Sequence, residues 1–467
     1  MTFLSGFFHK YSGYCISFLI LFTVWYIGRH DFFFWDTVQL GSKQAHFFYP
    51  EINGIILPEE IDSGHFPSFG MYIALWWKIF GKTLSVSHHA MLPWILFLSI
   101  GIVKLSSLFL EKRHLLFGVL LLSIEPTLLA QTGLVSPDII LITCFIWSLV
   151  FYFTKNNASF SICLILLSLI SLRGLILTFC LFLYQIYDSF RKKERHIHIF
   201  SAFVPAFLIN ISFLIYHYFQ TQWIGFHTSS PWAPSFHLVS IADIAKNILL
   251  FIWRIIDFGR IYIVAGCIFL GYFYRKKLTT QTYEIIKILL ITGMIFFLLT
   301  IFFQSLTAHR YYMPLYIIFI ILFVRLLFES GISIRMTNII FLLGFLSLIS
   351  GHFWKYPDQI AKGWDSSLAY KPVFSVYKDI SKEMENQNIT KNDVSSFFPL
   401  LSEEKYIFLN ENPEKHSTWN NPTATYLLLS NIHNDAPDSL YQLYRKEEAI
   451  ILKEKGAIWM ALHKINK

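Results

Sequence analysis

Apolar residues fall in long runs separated by short charged breaks. A helix needs about 20 mainly apolar residues to cross the hydrocarbon of a bilayer. Runs of that kind lie near 11–28, 90–110, 115–130, 138–154, 159–172, 174–190, 199–219, 260–274, 284–303, 312–328 and 336–353. The pattern predicts about eleven spans. Segment 68–81 is apolar but short and rich in tryptophan, which predicts a helix lying in the membrane interface. After Phe353 the pattern changes to one rich in Asp, Glu, Lys, Asn and Ser, with no run able to span. Periodicity there predicts a helix over 373–386 and strands at 405–409, 425–429, 449–454 and 457–463. The expected fold is an all-α polytopic membrane protein with a small C-terminal α/β domain. The membrane unit is 1–353, with long outer loops 29–89 and 220–259, and the outer domain is 354–467.

Composition agrees with the pattern. Of 467 residues, 55% are hydrophobic and 15% are charged. So much apolar surface excludes a disordered chain, and the length exceeds what one soluble core covers. The net charge of +8 does not point to nucleic acid, because most Lys and Arg punctuate the apolar runs. The clusters at 111–114, 155, 191–195, 275–277 and 335 fall on one side if the spans alternate. That side is expected to be the cytoplasm, with the N-terminus inside and the tail extracytoplasmic, in a plasma (inner) membrane. The first run lacks a small-residue cleavage site, so no cleavable signal is expected. The cysteines Cys15, Cys144, Cys163, Cys180 and Cys267 lie inside apolar stretches without metal-ligand spacing and read as small buried hydrophobes.

Ionisable residues are informative where a membrane makes them expensive, and here they gather toward the outer side. Asp36 follows Phe32-Phe33-Phe34-Trp35, Asp138 follows Ser136-Pro137, and Arg173-Gly174 interrupts an apolar run. Asp62 and His65 lie in the first outer loop, Arg260 borders the second, and His309-Arg310 stands at the mouth of a span. Each has a plain alternative. Asp36 and Asp138 read equally as helix N-caps, Arg173 and Arg310 as snorkelling anchors, and His65 as a turn residue. The inner halves of the spans look almost purely apolar apart from Lys104 and Arg325.

The order of these features resembles the membrane glycosyltransferases of the GT-C superfamily, in particular the protein O-mannosyltransferase and aminoarabinose-transferase branch. Four stretches carry the resemblance: Asp36 opening a helix in the first outer loop; Asp62-Ser63-Gly64-His65-Phe66-Pro67 with Trp76-Trp77-Lys78 and Phe80-Gly81; Ala130-Gln131 through Ser136-Pro137-Asp138; and Arg173-Gly174 with His309-Arg310-Tyr311 and Pro314. Together they span roughly the first 355 residues. Thr37 stands where members commonly place a second acid, and Phe66 replaces the first proline of the turn.

The resemblance implies transfer of a sugar from a polyprenyl-phosphate donor to an acceptor hydroxyl on protein, lipid or glycan. Cations would meet the charge growing on the leaving phosphate, and a carboxylate near the apolar boundary would serve as base. Asp36 is the expected base, with Asp138 orienting it or binding the acceptor. His65, Arg310, His309, Arg173, Arg260 and Asp62 are expected to bind donor phosphate or substrate. Single attack would invert the anomeric centre. No cofactor is firmly implied, and a divalent metal is not favoured because the acid pair is broken at Thr37. The competing readings are a lipid or lipid-linked-sugar flippase without covalent transfer, and a non-catalytic scaffold presenting the tail.

Overall fold

A computed structural model describes the chain except for residues 1, 52–53, 193–196, 229–232, 234–236, 305, 359, 361–362, 445–446 and 466–467. Part of the basic cluster expected at 191–195 therefore lies outside the described residues. Among those described, five helical stretches are long and apolar enough to cross a membrane: Tyr11–Gly28, Leu84–Phe109, Ile199–Thr221, Thr280–Phe302 and His309–Glu329. A sixth forms if the bent pair Lys112–Ser123 and Pro126–Thr132 counts as one. The expected eleven are not reached, because Pro137–Phe153, Asn157–Ile170, Arg260–Phe273 and Ile334–Ser350 are apolar but shorter, and Leu172–Lys192 is long but not apolar enough. Leu208, Ile211, Ile215 and Phe219 are exposed along one helix. Such a continuous apolar face suits lipid better than water.

Pro137–Phe153 packs between Leu92–Phe109 and Asn157–Ile170, and Met313–Glu329 packs against Arg260–Phe273 and Thr280–Phe302. The run expected as one span at 115–130 is two helices, Leu115–Ser123 and Pro126–Thr132, meeting at 61°. Pro126 starts the second helix, where its missing N–H costs nothing, and Glu125 caps it by accepting from Leu128 N at 2.7 Å. The outer segment expected at 220–259 contains a 16-residue amphipathic helix, Ile241–Ile256, packed on Thr280–Phe302. Helix Ser68–Phe80 forms as expected. Cys15 departs from the buried pattern and is exposed.

At the end of the bundle away from the tail the basic segments meet. Arg325 donates to Phe109 O, His114 stacks on Phe328 and Lys277 donates to Ser330 O. The expectation of apolar inner halves fails here. Buried Asp188 pairs with Arg191 and Lys192, and Glu284 with Arg191, Lys287 and the Tyr184 hydroxyl.

The tail forms a five-stranded sheet in the order β2-β1-β3-β5-β4: β1 Val394–Ser396, β2 Ser417–Thr418, β3 Tyr426–Ser430, β4 Ile451–Lys455 and β5 Ile458–Lys464. β1 runs parallel to β2 and β3, whereas β5 is antiparallel to β3 and β4. Helix Val373–Asn386 covers β4 and β5. The strand expected at 405–409 is instead a one-turn helix, Glu404–Ile407. The Lys405 N–H donates to Asn412 O, and Asn410 and Asn412 side chains donate to the Glu404 carboxylate, closing a compact turn.

The tail is no loose appendage. Trp364, Tyr370, Val373 and Val376 belong to the same hydrophobic core as the membrane helices. Phe33 N donates to Ile407 O, Phe34 stacks on Tyr370 and Phe32 packs edge-on against Phe374 and Phe408. The aromatic run ahead of Asp36 thus buries itself in the tail.

Candidate functional site

Arg310 lies in the short 3-10 turn His309–Tyr312 that starts the helix Met313–Glu329. Its guanidinium meets three carboxylates from widely separated segments. Nη2 bonds Asp36, Nη1 bonds Asp365, and Nε lies 3.5 Å from Asp138 Oδ2. Arg173 Nη1 lies 2.5 Å from the other oxygen of Asp138. The Tyr311 ring lies near both cations, its centroid 4.5 Å from the Arg173 guanidinium carbon and 5.4 Å from that of Arg310. Three carboxylates and two guanidiniums are brought together at one end of the bundle.

Local structure explains the placement. Trp35 adopts a left-handed conformation, φ 53°, where the run of aromatics turns into the helical segment that follows. The Thr37 hydroxyl accepts from Phe34 N at 2.9 Å and donates to Phe34 O, closing the turn that carries Asp36. The Asp36 carboxylate is thereby left for Arg310. At Pro137–Phe153 the cap is Ser136, whose hydroxyl accepts from Asp138 N. The N-cap readings of both aspartates therefore fail. Arg173 and Arg310 point to acids rather than out to headgroups, so the anchor reading fails as well. The Arg173-Gly174 turn needs its glycine: a Cβ there would fall 1.7 Å from Leu167 O.

Asp365 was not singled out in the sequence. It sits in the turn Trp364–Ser366, held by the Trp364 indole donating to Asn431 O, by Gln131 donating to Asp365 O at 2.7 Å and by Thr127 donating to Ser366 O. Gln131 also accepts from Ser136 Oγ. One side chain therefore ties the turn carrying Asp365 to the turn carrying Asp138.

The remaining candidates take supporting positions. Asp62 accepts from Gly64 N at 2.8 Å and lies 2.9 Å from His217 Nε2, fastening the first loop to the helix Val204–Thr221. Gly64 is left-handed, φ 70°, and a Cβ there would overlap Gly225 O. His65 is half-buried beside Phe66 O. Burial pushes its imidazole below the ordinary histidine range, and the Arg173 charge adds to this against the Asp62 charge.

His309 faces away from its neighbour. Its Nε2 lies 2.7 Å from Asp257 Oδ2, and Asp257 also receives Tyr356 OH and Phe258 N. Burial alone would raise the Asp257 carboxyl, but the bonds from His309, Tyr356 and Phe258 outweigh it and hold it below the usual range. This brace fixes the residue preceding Arg310. Arg260 does not join the cluster. It is clasped by Glu125, Thr127 and Asp257 O and lies over the Tyr316 ring. Glu125 is a functional-looking acid that the reading of the sequence passed over, although an acid next to proline inside an apolar run was a visible signal.

An apolar cavity of about 160 Å³ adjoins the charges. Leu172, Ile176, Phe296, Leu299 and Leu306 form its walls, with Arg173 and Tyr311 also lining it. The three aspartates face separate nitrogens of Arg310 rather than a common point. Among the described residues no group of three His, Cys, Asp or Glu is arranged to hold a metal ion.

No protein-family model, curated protein or solved structure matches this chain. The geometry of the cluster therefore carries the functional reading.

Proposed function

We propose that the protein transfers a sugar from a polyprenyl-phosphate donor to an acceptor hydroxyl at the membrane face carrying the tail, as a GT-C-like glycosyltransferase. One observation supports this most. Asp36, Asp138, Arg173 and Arg310, singled out separately along the chain, share one ion network beside an apolar cavity. Assembling charges where desolvation is costly rarely repays itself in stability alone. Such a cluster at a membrane boundary is a site by default.

In the proposed reaction the donor phosphate binds Arg310 and Arg173, and the lipid chain enters through the apolar cavity. Arg310 already faces three carboxylates, and in the proposed reaction the donor phosphate takes the place of one of them. Asp36 is the most exposed of the three, at 23% of its side chain against 3% for Asp138 and 7% for Asp365. It is the one that leaves. Released from Arg310, its carboxylate is free to meet the acceptor hydroxyl, so the base is available only when donor is bound. It takes the proton of the acceptor hydroxyl as that oxygen attacks the anomeric carbon. The bond to phosphate breaks with inversion, and the charge on the departing phosphate is met by the two guanidiniums.

The orientation with the tail outside, in a plasma membrane, belongs to the same proposal. The test is mass analysis of products after proteoliposomes are incubated with a panel of polyprenyl-phosphate sugars and hydroxyl acceptors. A product heavier by one sugar, with free polyprenyl phosphate released, is expected. Donor movement between leaflets without any covalent product would favour a flippase instead.

A further inference from the structure

A second charged feature lies apart from the Arg310 cluster. Between the outer end of the first helix and the helix Val373–Asn386 runs a groove of about 890 Å³. Five lysines line it against three carboxylates, Asp31, Glu385 and Glu404. Lys371 is neutralised by Asp31 and Lys391 by Glu404. Lys378, Lys382 and Lys455 are exposed and have no ion-pair partner among the described residues. Lys378 and Lys382 are one helical turn apart and share a face. The β4–β5 turn packs at Gly456 against Pro372, which places Lys455 over the start of the same helix.

The other wall is apolar. Ile27, Leu84, Phe32 and Phe374 line it, and Ile27 is 66% exposed at the last turn of a membrane-spanning helix. One turn away the Arg29 guanidinium covers the Tyr26 ring at 3.7 Å, a pairing suited to the headgroup layer. Unneutralised lysines beside an apolar wall at that depth match one ligand chemistry, a phosphate joined to acyl chains.

We propose that this groove, where Lys378, Lys382 and Lys455 face the exposed end of the first helix, binds the phosphate of an anionic glycerophospholipid headgroup. The site is distinct from the Arg310 cluster, and the proposal stands whether or not sugar transfer occurs. A lipid held there bridges the bilayer to the tail and steadies the segment that delivers Asp365.

The test uses the full-length protein in mixed micelles holding equal amounts of phosphatidylglycerol and phosphatidylcholine, with retained lipid counted by native mass spectrometry. Wild type is expected to keep phosphatidylglycerol in preference. The triple variant K378Q/K382Q/K455Q is expected to lose that preference by about fivefold or more, and K378R/K382R/K455R to keep it. No preference in wild type, or an undiminished preference in a folded glutamine variant, overturns the proposal. Should the triple variant fail to fold, Lys378→Gln and Lys455→Gln, each at an exposed position, carry the same readout. Glycerol 3-phosphate is added as a competitor. Displacement of the lipid at equal concentration would assign the groove to a free phosphate compound and overturn the lipid proposal.

Discussion

Arg310 bonds two acids and faces a third, each from a different nitrogen, so its loss is felt at several places. Arg310→Ala is expected to cost about 3–5 kcal/mol, because it leaves buried carboxylates without the cation they face. Arg310→Lys is expected to recover little, since one ammonium cannot reproduce the fork. Thermal unfolding in detergent checks both, and a wild-type midpoint for either would show that the ion network is not holding the fold. Asp36 and Arg310 were legible in the sequence because each is a charge at the edge of an apolar run. Asp365 was not, since an aspartate in a polar tail is unremarkable until the fold brings it back to the membrane. Arg260 looked like Arg310 in sequence but is spent on Glu125. Only the fold distinguishes a clasped cation from one in a shared cluster.

The bent pair Leu115–Ser123 and Pro126–Thr132 shows why span boundaries were misread. Hydropathy averages over Glu125, whereas the backbone breaks there. Glu125→Ala removes the cap of the second helix and strands the Arg260 guanidinium. A loss of about 3 kcal/mol or more is expected, measured as a lowered melting temperature. Glu125→Ala with Arg260→Met should be less damaging than Glu125→Ala alone, because no buried charge is left over.

Strands β3, β4 and β5 and the helix Val373–Asn386 were readable from periodicity. β1 and β2 were too short to register, and the apolar residues of 405–409 suited strand or buried helix equally. The sheet carries a pH dependence. His416 is pushed down to about 4, first by burial and then by Lys391. His433 is pushed down to about 3, first by burial and then by His416. Both are neutral in the folded domain, whereas the unfolded chain takes up protons below about 6.5. Stability is therefore fully present above pH 6.5 and falls below it by about 1.4 kcal/mol per unit per histidine, the share of His416 ending near pH 4 and that of His433 near pH 3. Hydrogen exchange of peptides over β3 should accelerate across that window beyond its intrinsic pH trend. Protection that stays level would mean the histidines are not neutral inside.

At the scale of the whole molecule, the tail shares a core with the membrane helices and supplies an acid to their charge cluster. Boundaries at 353 and 354 match the change in composition but not a break in packing. A chain ending at 353 would bare Phe32, Phe33 and Phe34 and is expected to aggregate on extraction, as read by size-exclusion chromatography. Asp365→Asn keeps the packing and is expected to stay monodisperse while losing transfer activity. The most direct test of the central claim is sugar transfer from labelled polyprenyl-phosphate donor in proteoliposomes, comparing wild type with Asp36→Asn and, as an exposed control acid far from the cluster, Glu111→Gln. A fall of about 10²–10⁴ for Asp36→Asn, with Glu111→Gln retaining most of the rate, is the expected result. Near wild-type transfer by a folded Asp36→Asn protein would contradict the account.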